Sequence, residues 1–488
     1  MRIAMVTSEC EPWAKTGGLA DVVDALSRAL GMPEPAGLGH EVDVYLPWYR
    51  GLEPPEALVP LELRVPLGSP DGEGPRHETV TLWSGQAEGY RLRLVQHAAS
   101  FDREGGYYTN AAGDYGDNAA RFTLLGRAAL EAIRGEARPV DIIHGHDWQA
   151  GPALLSLRHR YSADPLLASA AALISCHNLA YHGWTPRDEA WQLDLPEGVG
   201  QRDGVDVLRE VIAIADLVNT VSPTYCRESL TPDFGAGLDD VLRARGERYV
   251  GILNGIDTEL WDPATDAALE HRYSAGDLSG KRATRYDLMT RHGLDPDGPL
   301  LGVIGRLDPQ KGFDLVTSAA PALIGSGARL IVLGTGDARL IAGLRAIARE
   351  RPDRVVVLDR FDRDEARRIY AGADLFLMPS RFEPCGQGQL IAMRYGTPPV
   401  VRRSGGLADT VIDADADPET GNGFVFGTAR PEALVEAVRR AILALEDEPR
   451  FRRIQAQGMA RDHSWRGPAR QYELAYARAQ QARRASTG

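Results

Sequence analysis

Residues 379–390 read Pro-Ser-Arg-Phe-Glu-Pro-Cys-Gly-Gln-Gly-Gln-Leu, between the apolar run 374–378 and a segment with helical periodicity. This order of strand, turn and helix places the turn at the carboxyl end of a buried strand, where open α/β sheets bind ligands. The prolines stiffen the turn, the glycines let a ligand approach the backbone, and the helix directs its positive end at the turn. The pattern predicts an anion site beside Glu383; the alternative is an ordinary strand-to-helix turn.

Strand, turn and helix alternate along both halves of the chain, which predicts two parallel sheets with crossover helices. The strands expected in the second half are residues 300–305, 329–334, 355–359, 374–378 and 399–402. Those expected in the first half are residues 3–7, 41–46, 142–145, 171–176 and 217–221. Three further segments alternate apolar and polar residues and predict a β-hairpin or meander inserted in the first domain at about 60–98. The predicted fold class is therefore α/β, with two Rossmann-like doubly wound domains.

Length and charge limit the function classes. The chain has 488 residues, and because single cores stop growing at roughly 250–300 residues we expect two domains. We place their boundary at 252/253, with the second domain ending near 463 and an amphipathic helix over 464–488. Lys plus Arg number 55 and Asp plus Glu 68, a net charge of −13, which argues against a nucleic-acid or membrane-surface binder.

The four cysteines are widely spread and form no C-x-x-C pair or zinc-like cluster with histidine. The amino terminus enters a strand at once, without the pattern of a signal peptide. No segment reaches the roughly 18 apolar residues of a membrane span. We therefore expect a soluble protein in the reducing cytoplasm.

A glycine turn opens a helix in each half of the chain. Residues 17–23 read Gly-Gly-Leu-Ala-Asp-Val-Val, and residues 405–411 read Gly-Gly-Leu-Ala-Asp-Thr-Val. The first turn also carries Lys15, a mobile cation, and Asp21 in the first helical turn. The recurrence predicts two equivalent anion-binding turns that face a common cleft, with a structural turn or chance recurrence as the alternatives.

The segment 101–118 is polar and aromatic without periodicity, as in loops that bind ligands. Tyr107, Tyr108, Asp114 and Asn118 are suited to stacking on a sugar and to hydrogen bonding with it. An ordinary surface loop is the alternative for any one of them.

Two successive strands end in histidine. The first delivers His144, His146 and Asp147, and the second delivers His177 and Asn178. We expect His144 and His146 to face opposite ways, and no acidic or cysteine ligand completes a tetrahedral zinc set. A substrate contact is favoured over a structural histidine, and both over a metal.

The turns after two strands of the second half suit a diphosphate. Arg306 and Lys311 follow the first strand, where a helix begins, and their cations would pair with phosphate oxygens. Gly334 and Gly336 form the next turn. Residues 413–417 contain the D-x-D pattern of metal-dependent sugar transferases, but their loop context favours a solvated acidic turn.

Together these motifs resemble the bacterial glycogen synthase and plant starch synthase family, retaining glucosyltransferases of GT-B fold that use ADP-glucose. The segments that carry the resemblance are residues 15–22, 146–148, 177–181, 306–311 and 380–386. The resemblance implies a deep interdomain cleft, an acceptor-side first domain, a nucleotide-sugar-binding second domain, and a terminal helix that returns to the first domain.

The resemblance also implies residue roles. Arg306 and Lys311 would neutralise the leaving diphosphate, Glu383 would hold the donor glucose hydroxyls, and Asp147 and His177 would lie near the reacting carbon. The predicted substrate-binding residues are Lys15, Gly17, Gly18, Asp21, Tyr107, Asn118, Asn178, Gly334, Gly336, Phe361, Cys385, Gly386, Gly405 and Gly406.

The activity implied is elongation of an α-1,4-glucan from ADP-glucose, with no cofactor, metal, nucleic acid or membrane involved. Attack by the acceptor 4-hydroxyl on the front face of the donor would retain the anomeric configuration. Alternatives are a UDP-glucose or other-acceptor transferase of the same fold and a catalytically silent glucan-binding homologue. The sequence departs from the family pattern at His182, Phe361 and Gly388, where glutamine, tyrosine and threonine are usual.

Overall fold

The computed structural model describes residues 1–70, 74–196 and 198–487. The chain forms two compact units. The N-terminal unit comprises residues 1–221, 226–254 and 465–488, and the C-terminal unit comprises residues 222–225 and 255–464.

The N-terminal unit contains a nine-stranded sheet and two small antiparallel pairs. Its strands are β1 Arg2–Val6, β2 Glu41–Pro47, β3 Val59–Leu67, β4 Arg76–Ala87, β5 Tyr90–Gln96, β6 Thr109–Asn110, β7 Gly113–Asp114, β8 Ile142–His146, β9 Ala171–Cys176, β10 Trp184–Pro186, β11 Gly204–Asp206, β12 Leu217–Thr220 and β13 Tyr249–Gly251. Its helices are α1 Gly18–Gly31, α2 Ala98–Phe101, α3 Asn118–Gly135, α4 Asp147–His159, α5 Val207–Ile214, α6 Pro223–Glu228, within which the chain passes between the units, and α7 Asp239–Arg245. Two 3₁₀ turns cover Arg187–Gln192 and Gly246–Arg248.

The strand order of the large sheet is β13-β12-β9-β8-β1-β2-β5-β4-β3. All neighbours are parallel except β4, which runs antiparallel to β3 and β5. The three alternating segments form a meander, and β5 joins it to the main sheet by pairing with β2. Strands β2 to β5 lie on one side of β1, and the later strands β8, β9, β12 and β13 lie on its other side. The point between β1 and β8 is therefore a topological switch point, where such sheets bind ligands.

The C-terminal unit is a six-stranded parallel sheet covered by helices. Its strands are β14 Leu300–Ile304, β15 Arg329–Leu333, β16 Val355–Leu358, β17 Leu375–Met378, β18 Pro399–Arg402 and β19 Phe424–Phe426. Its helices are α8 Ser279–Arg291, α9 Phe313–Gly325, α10 Ala338–Glu350, α11 Arg363–Gly372, α12 Gly388–Arg394, α13 Gly405–Thr410, α14 Pro431–Glu446 and α15 Glu448–Ala460. The order β16-β15-β14-β17-β18-β19 is that of a Rossmann fold, with its switch point between β14 and β17. The prediction of two Rossmann-like doubly wound domains is confirmed.

The last helix, α16 Arg466–Thr487, belongs to the N-terminal unit. Its buried Tyr476 lies 2.9 Å from Nδ1 of His144, and its buried Tyr472 accepts a hydrogen bond of 3.1 Å from the Asn219 amide. These bonds tie the chain's end to β8 and β12. None of the helices in the described residues is both long and apolar enough to cross a membrane.

Lys281 on α8 is a buried cation whose ammonium donates three hydrogen bonds to uncharged oxygen atoms. Its acceptors are the carbonyls of Ala371 and Ala373, at 2.8 and 3.0 Å, and the Thr397 hydroxyl at 2.6 Å. Burial lowers the pKa of Lys281 to about 7. The site thus accepts a compact group that is able to lose its charge.

Replacing Lys281 with Arg should lower the free energy of unfolding by about 1–3 kcal/mol, because a larger group enters a packed site and the guanidinium stays charged. Denaturant unfolding would measure this. Arg282→Lys, at the exposed neighbouring position, should leave stability unchanged. Equal stability of Lys281→Arg and the natural protein would contradict the expectation.

Candidate functional site

At the switch point of the C-terminal unit, Lys311 and Glu383 form an ion pair. The Lys311 ammonium lies 2.8 and 2.7 Å from the two carboxylate oxygens of Glu383. The Ser380 hydroxyl donates to the same carboxylate at 3.0 Å. Glu383 is only 4% exposed, whereas the Lys311 side chain is 28% exposed. A cation therefore stands between a buried carboxylate and solvent, where it can also bind an anion.

Arg306 lies on the same loop and is more exposed. It pairs with Asp308 at 2.5 Å and donates to the Gln310 amide oxygen at 3.3 Å. Asp308 also accepts the backbone N–H of Lys311 at 2.8 Å. One carboxylate thus organises the loop that carries both predicted cations.

The second glycine turn packs directly on the Glu383 loop. A Cβ added at Gly405, where φ is +44°, would lie 2.0 Å from the carbonyl oxygen of Glu383. A Cβ at Gly406 would lie 2.2 Å from that of Cys385. The backbone N–H of Gly406 donates to the Glu383 carbonyl at 3.1 Å. These glycines permit contact between two loops of the protein itself.

Gly334 and Gly336 have the same kind of role. A Cβ at Gly334 would lie 1.9 Å from the Gly305 carbonyl oxygen, and one at Gly336 would lie 2.3 Å from that of Leu307. The two glycines therefore let the loops after β14 and β15 pack together, which is a structural reason for the turn at residues 334–337.

The other residues predicted for the C-terminal unit are placed as follows. Cys385 is buried, and the Gln389 amide donates to its carbonyl at 3.2 Å and to that of Gly386 at 3.0 Å. Gly386 has φ of +77°, so it makes the left-handed turn before α12. Phe361, after β16, is 78% exposed, and the guanidinium of Arg363 lies 6.0 Å from the centre of its ring.

In the N-terminal unit the first glycine turn is built around Glu9, which the sequence interpretation missed. One Glu9 oxygen accepts the backbone N–H groups of Thr16 and Gly17, at 2.6 and 3.1 Å, and the other accepts the Thr16 and Tyr108 hydroxyls, at 2.5 and 2.6 Å. Glu9 is 4% exposed. Three of these bonds come from residues seven and eight positions along the chain and the fourth comes from Tyr108, 99 positions away. No sequence pattern marks Glu9, because these contacts form only when the chain folds.

Lys15 and Asp21 lie on opposite sides of this turn and form an ion pair of 2.5 Å. Lys15 also lies 3.3 Å from a Glu11 oxygen. An added Cβ at Gly17 or Gly18 would meet no atom within 4 Å. The space beside this first turn is therefore open, unlike that beside Gly405 and Gly406.

The predicted residues Tyr107 and Asn118 of the polar-aromatic loop make contacts within the protein. Tyr107 stacks on Tyr49 with ring centroids 4.1 Å apart. The Asn118 amide donates to the Tyr108 carbonyl at 3.0 Å and accepts from Arg121 at 2.5 Å. Asn118 therefore holds the loop to α3, while Asp114 lies in the exposed β6–β7 pair.

The strand ends at β8 and β9 bring the histidines together. The rings of His144 and His146 have centroids 4.1 Å apart, and Nδ1 of His146 lies 3.0 Å from Nε2 of His177. The expectation that His144 and His146 face opposite ways was wrong, because residues two apart on a strand point to the same face.

Asp147 begins α4 and aligns the loop after β9. Its Oδ1 accepts the backbone N–H of His177 at 2.7 Å and that of Asn178 at 3.4 Å. Its φ of +55° is uncommon for a residue with a side chain, and such strain concentrates at functional sites. Burial raises the pKa of Asp147 to about 7, although the two N–H groups oppose the shift.

Asp147→Asn should stabilise the protein more at pH 8 than at pH 5. A carboxyl whose folded pKa is raised loses its stabilising contribution as the pH rises from about 4 to about 7, and asparagine cannot ionise. We expect a gain of about 1–3 kcal/mol in unfolding free energy at pH 8. This is less than the full pKa shift corresponds to, because Asp147 is partly exposed and water screens its charge. Thermal unfolding at both pH values measures it.

Asp240→Asn is the matched control. The hydrogen bond from Arg209 lowers the pKa of Asp240, so this variant should show no gain at high pH. An equal effect of Asp147→Asn at both pH values would contradict the prediction.

Two carboxylates of the D-x-D segment form ion pairs with arginines. Arg440 lies 3.2 Å from the Asp413 carboxylate and also pairs with Asp415, and Arg450 pairs with Asp415 as well. Within the described parts of the chain, one group, Glu270, His271 and Asp287, has the spacing to hold a metal ion. It contains none of the predicted site residues.

Lysine is rare in this chain, and its positions are a compositional signal for the site. The chain has three lysines, Lys15, Lys281 and Lys311, against 52 arginines. Arginine serves at almost every basic position, and at Lys281 and Lys311 the structure shows a compact ammonium held by close contacts to oxygen. Two of them are predicted site residues, and the third is the buried cation on α8.

Two family models match the chain. A model described as starch synthase catalytic domain matches residues 2–244. A model described as glycosyl transferases group 1 matches residues 285–458. The first match lies mainly in the N-terminal unit and the second lies within the C-terminal unit.

Similar proteins match over nearly the full length. A glycogen synthase of Anaeromyxobacter dehalogenans (strain 2CP-1) is 44% identical over 487 residues, 98% of each chain, and one of Syntrophotalea carbinolica is 39% identical over 487 residues, 98% of this chain and 99% of the other. The solved catalytic domain of starch synthase IV from Arabidopsis thaliana, bound to ADP and acarbose, matches with a TM-score of 0.87 and 34% identity, covering 98% of this chain and 99% of the other.

Proposed function

The chain belongs to the bacterial glycogen synthase and plant starch synthase family of GT-B glycosyltransferases, and on this premise we propose that it transfers glucose from ADP-glucose to the non-reducing 4-hydroxyl end of an α-1,4-glucan, with retention of configuration. The observation that carries the proposal is the Lys311–Glu383 pair at the switch point of the C-terminal unit. The ADP bound to the similar starch synthase favours an adenine nucleotide as the donor.

The C-terminal unit would bind the donor. Lys311 and Arg306 would neutralise the diphosphate, and Glu383 would accept hydrogen bonds from the glucose hydroxyls. Donor binding would replace part of the contact between Lys311 and Glu383 with contacts to phosphate. Since Asp308 orients the Arg306 guanidinium and the backbone of Lys311, and Glu383 holds the Lys311 ammonium, little reorganisation is needed when charge develops.

The N-terminal unit would form the acceptor side. Lys15 would approach the phosphates, Gly17 and Gly18 would border the open space beside the first turn, and Asp147 and His177 would lie near the reacting carbon. Asp147 supports this placement because it fixes the backbone N–H groups of His177 and Asn178.

For the reaction we propose attack on the front face of the sugar. The bond from the anomeric carbon to the diphosphate breaks with its electron pair on the phosphate oxygen, and the acceptor 4-hydroxyl forms the new bond on the same face. The hydroxyl proton passes to the departing phosphate oxygen, which gives ADP and a glucan longer by one residue. Lys311 and Arg306 supply the positive charge, so no metal or cofactor is part of the proposal.

A cytoplasmic location is also part of the proposal. All four cysteines are free thiols, as is usual for proteins of a reducing compartment.

The test is the release of ADP or UDP from the two nucleotide-glucoses, with and without glycogen. We expect ADP release that depends on glycogen, with the new glucose in α-1,4 linkage. Release of UDP alone would contradict ADP-glucose as the donor. Release of nucleotide from neither substrate would contradict the proposed activity. A β-linked product would overturn retention.

A further inference from the structure

A buried polar network lies behind the loop that carries His177. His144 and His146 are both 0% exposed. Burial holds the pKa of each well below its ordinary value, and burial lowers the pKa of His177 to about 4. All three rings are therefore neutral near pH 7, so each carries one proton on one of its two nitrogens.

The proton of His144 is fixed by its partners. The Asn219 amide donates to the Thr220 carbonyl at 3.4 Å, so its oxygen faces the Ser175 hydroxyl, which donates to it at 2.5 Å. The Ser175 hydroxyl proton is thus used, and at 2.6 Å it accepts from Nε2 of His144. The other ring nitrogen of His144 then accepts from Tyr476 at 2.9 Å.

His146 has a different environment. Its Nδ1 lies 3.0 Å from Nε2 of His177, and its Nε2 is buried with no hydrogen-bond partner among the described residues. Both nitrogens of the neighbouring His144 are engaged, so that ring cannot serve it. A proton on Nε2 of His146 would be a buried donor without an acceptor, which native proteins avoid more strictly than an unpaired acceptor.

We propose that His146 is a positioning residue: its Nδ1–H donates to Nε2 of His177 and holds the ring proton of His177 on Nδ1. His177 then presents a hydrogen-bond donor to the substrate and cannot act as a general base through Nε2. The described part of the chain contains no hydrogen bond to Nδ1 of His177, so that donor is available to a sugar oxygen. The catalytic part of this inference rests on the proposed function; the position of the proton does not.

The direct test is nuclear magnetic resonance of the full-length protein labelled with ¹⁵N-histidine, with the His177 signals identified by their loss in His177→Ala. In the natural protein at pH 7.5 we expect a protonated Nδ1 and an unprotonated Nε2 for His177. In His146→Leu the protonated Nε2 form should appear. In His146→Asn, where an amide replaces Nδ1, the original form should return.

The kinetic test uses ADP-glucose and glycogen. His146→Leu should lower kcat by about 10- to 100-fold, by analogy with the removal of partners that orient metal-ligating histidines, with a smaller change in KM. His146→Asn should recover most of kcat. Tyr476→Phe removes a hydroxyl from the same network without touching His177, so it should lower stability but change neither the tautomer nor kcat.

A protonated Nε2 of His177 in the natural protein, or an unchanged tautomer in His146→Leu, would overturn the inference. A kcat of His146→Leu equal to that of Tyr476→Phe would overturn its catalytic part. If the natural protein transferred no glucose at all, the proposed function would fail, while the resonance measurement would still decide the tautomer.

Discussion

Lys311→Met is expected to lower kcat by about 10²- to 10³-fold with donor and acceptor saturating. Under the proposed function its ammonium faces the charge that develops on the leaving diphosphate, and removing one such preorganised group has an effect of about 3–4 kcal/mol. Steady-state release of ADP measures it. Retention of more than about a tenth of kcat would contradict this role.

Lys311→Arg should also lose most of the activity. The ammonium lies within 2.8 Å of both Glu383 oxygens, and a longer planar guanidinium cannot occupy the same position. Arg381→Met is the matched control, since this cation of the same turn pairs with Asp314 at 2.5 Å and is 40% exposed. Exposed pairs contribute little, so that variant should remain close to the natural enzyme.

The loss of Lys311 also leaves Glu383 buried, with the Ser380 hydroxyl against one of its oxygens. We expect a decrease of about 1–3 kcal/mol in unfolding free energy. Thermal unfolding and circular dichroism of each variant therefore accompany the kinetics, and a folded Lys311→Met without activity is the decisive result.

Gly406→Ala is expected to damage both stability and activity. Its Cβ would lie 2.2 Å from the Cys385 carbonyl oxygen, so α13 and the Glu383 loop must separate. Overpacking of this kind costs about 1–3 kcal/mol or more, and displacing a positioned group by about 1 Å can cost about 10²-fold in rate. Denaturant unfolding and ADP release measure the two effects.

Gly17→Ala is the contrasting variant from the equivalent position of the first turn. No atom lies within 4 Å of the added Cβ, and a φ of −152° suits any residue, so stability should be unchanged. A methyl group in that open space should instead weaken substrate binding. If both variants lost the same stability, the distinction between a packed turn and an open one would be wrong.

Much of the fold could be predicted because buried parallel strands appear as continuous apolar runs between turns. The strands at 171–176 and 399–402 have the predicted limits. β19, residues 424–426, was missed because three residues are too few to show a pattern. The lysine–glutamate pair, 72 positions apart, could be expected because the carboxyl ends of parallel strands meet at one edge.

The site was less predictable where function depends on contacts rather than on motifs. Glu9 lies in an ordinary loop, and its importance comes from four hydrogen bonds that exist only after folding. The two glycine turns look equivalent in sequence, yet one borders open space and the other packs on a neighbouring loop. Local sequence does not contain that difference, because it depends on which segment lies opposite.

Because the protein has only three lysines, it is suited to labelling with amine-reactive reagents. Lys281 is 6% exposed, so the lysines that an amine-acylating reagent can reach are Lys15 and Lys311, whose side chains are 25% and 28% exposed. Both exposed side chains are proposed to face the donor phosphates, and bound nucleotide should protect both from acylation. A lysine-specific protease cleaves only where the side-chain amine is free, so an acylated lysine would appear as an uncleaved bond. Because the chain has only three lysines, the masses of a few long peptides would report the occupancy of each.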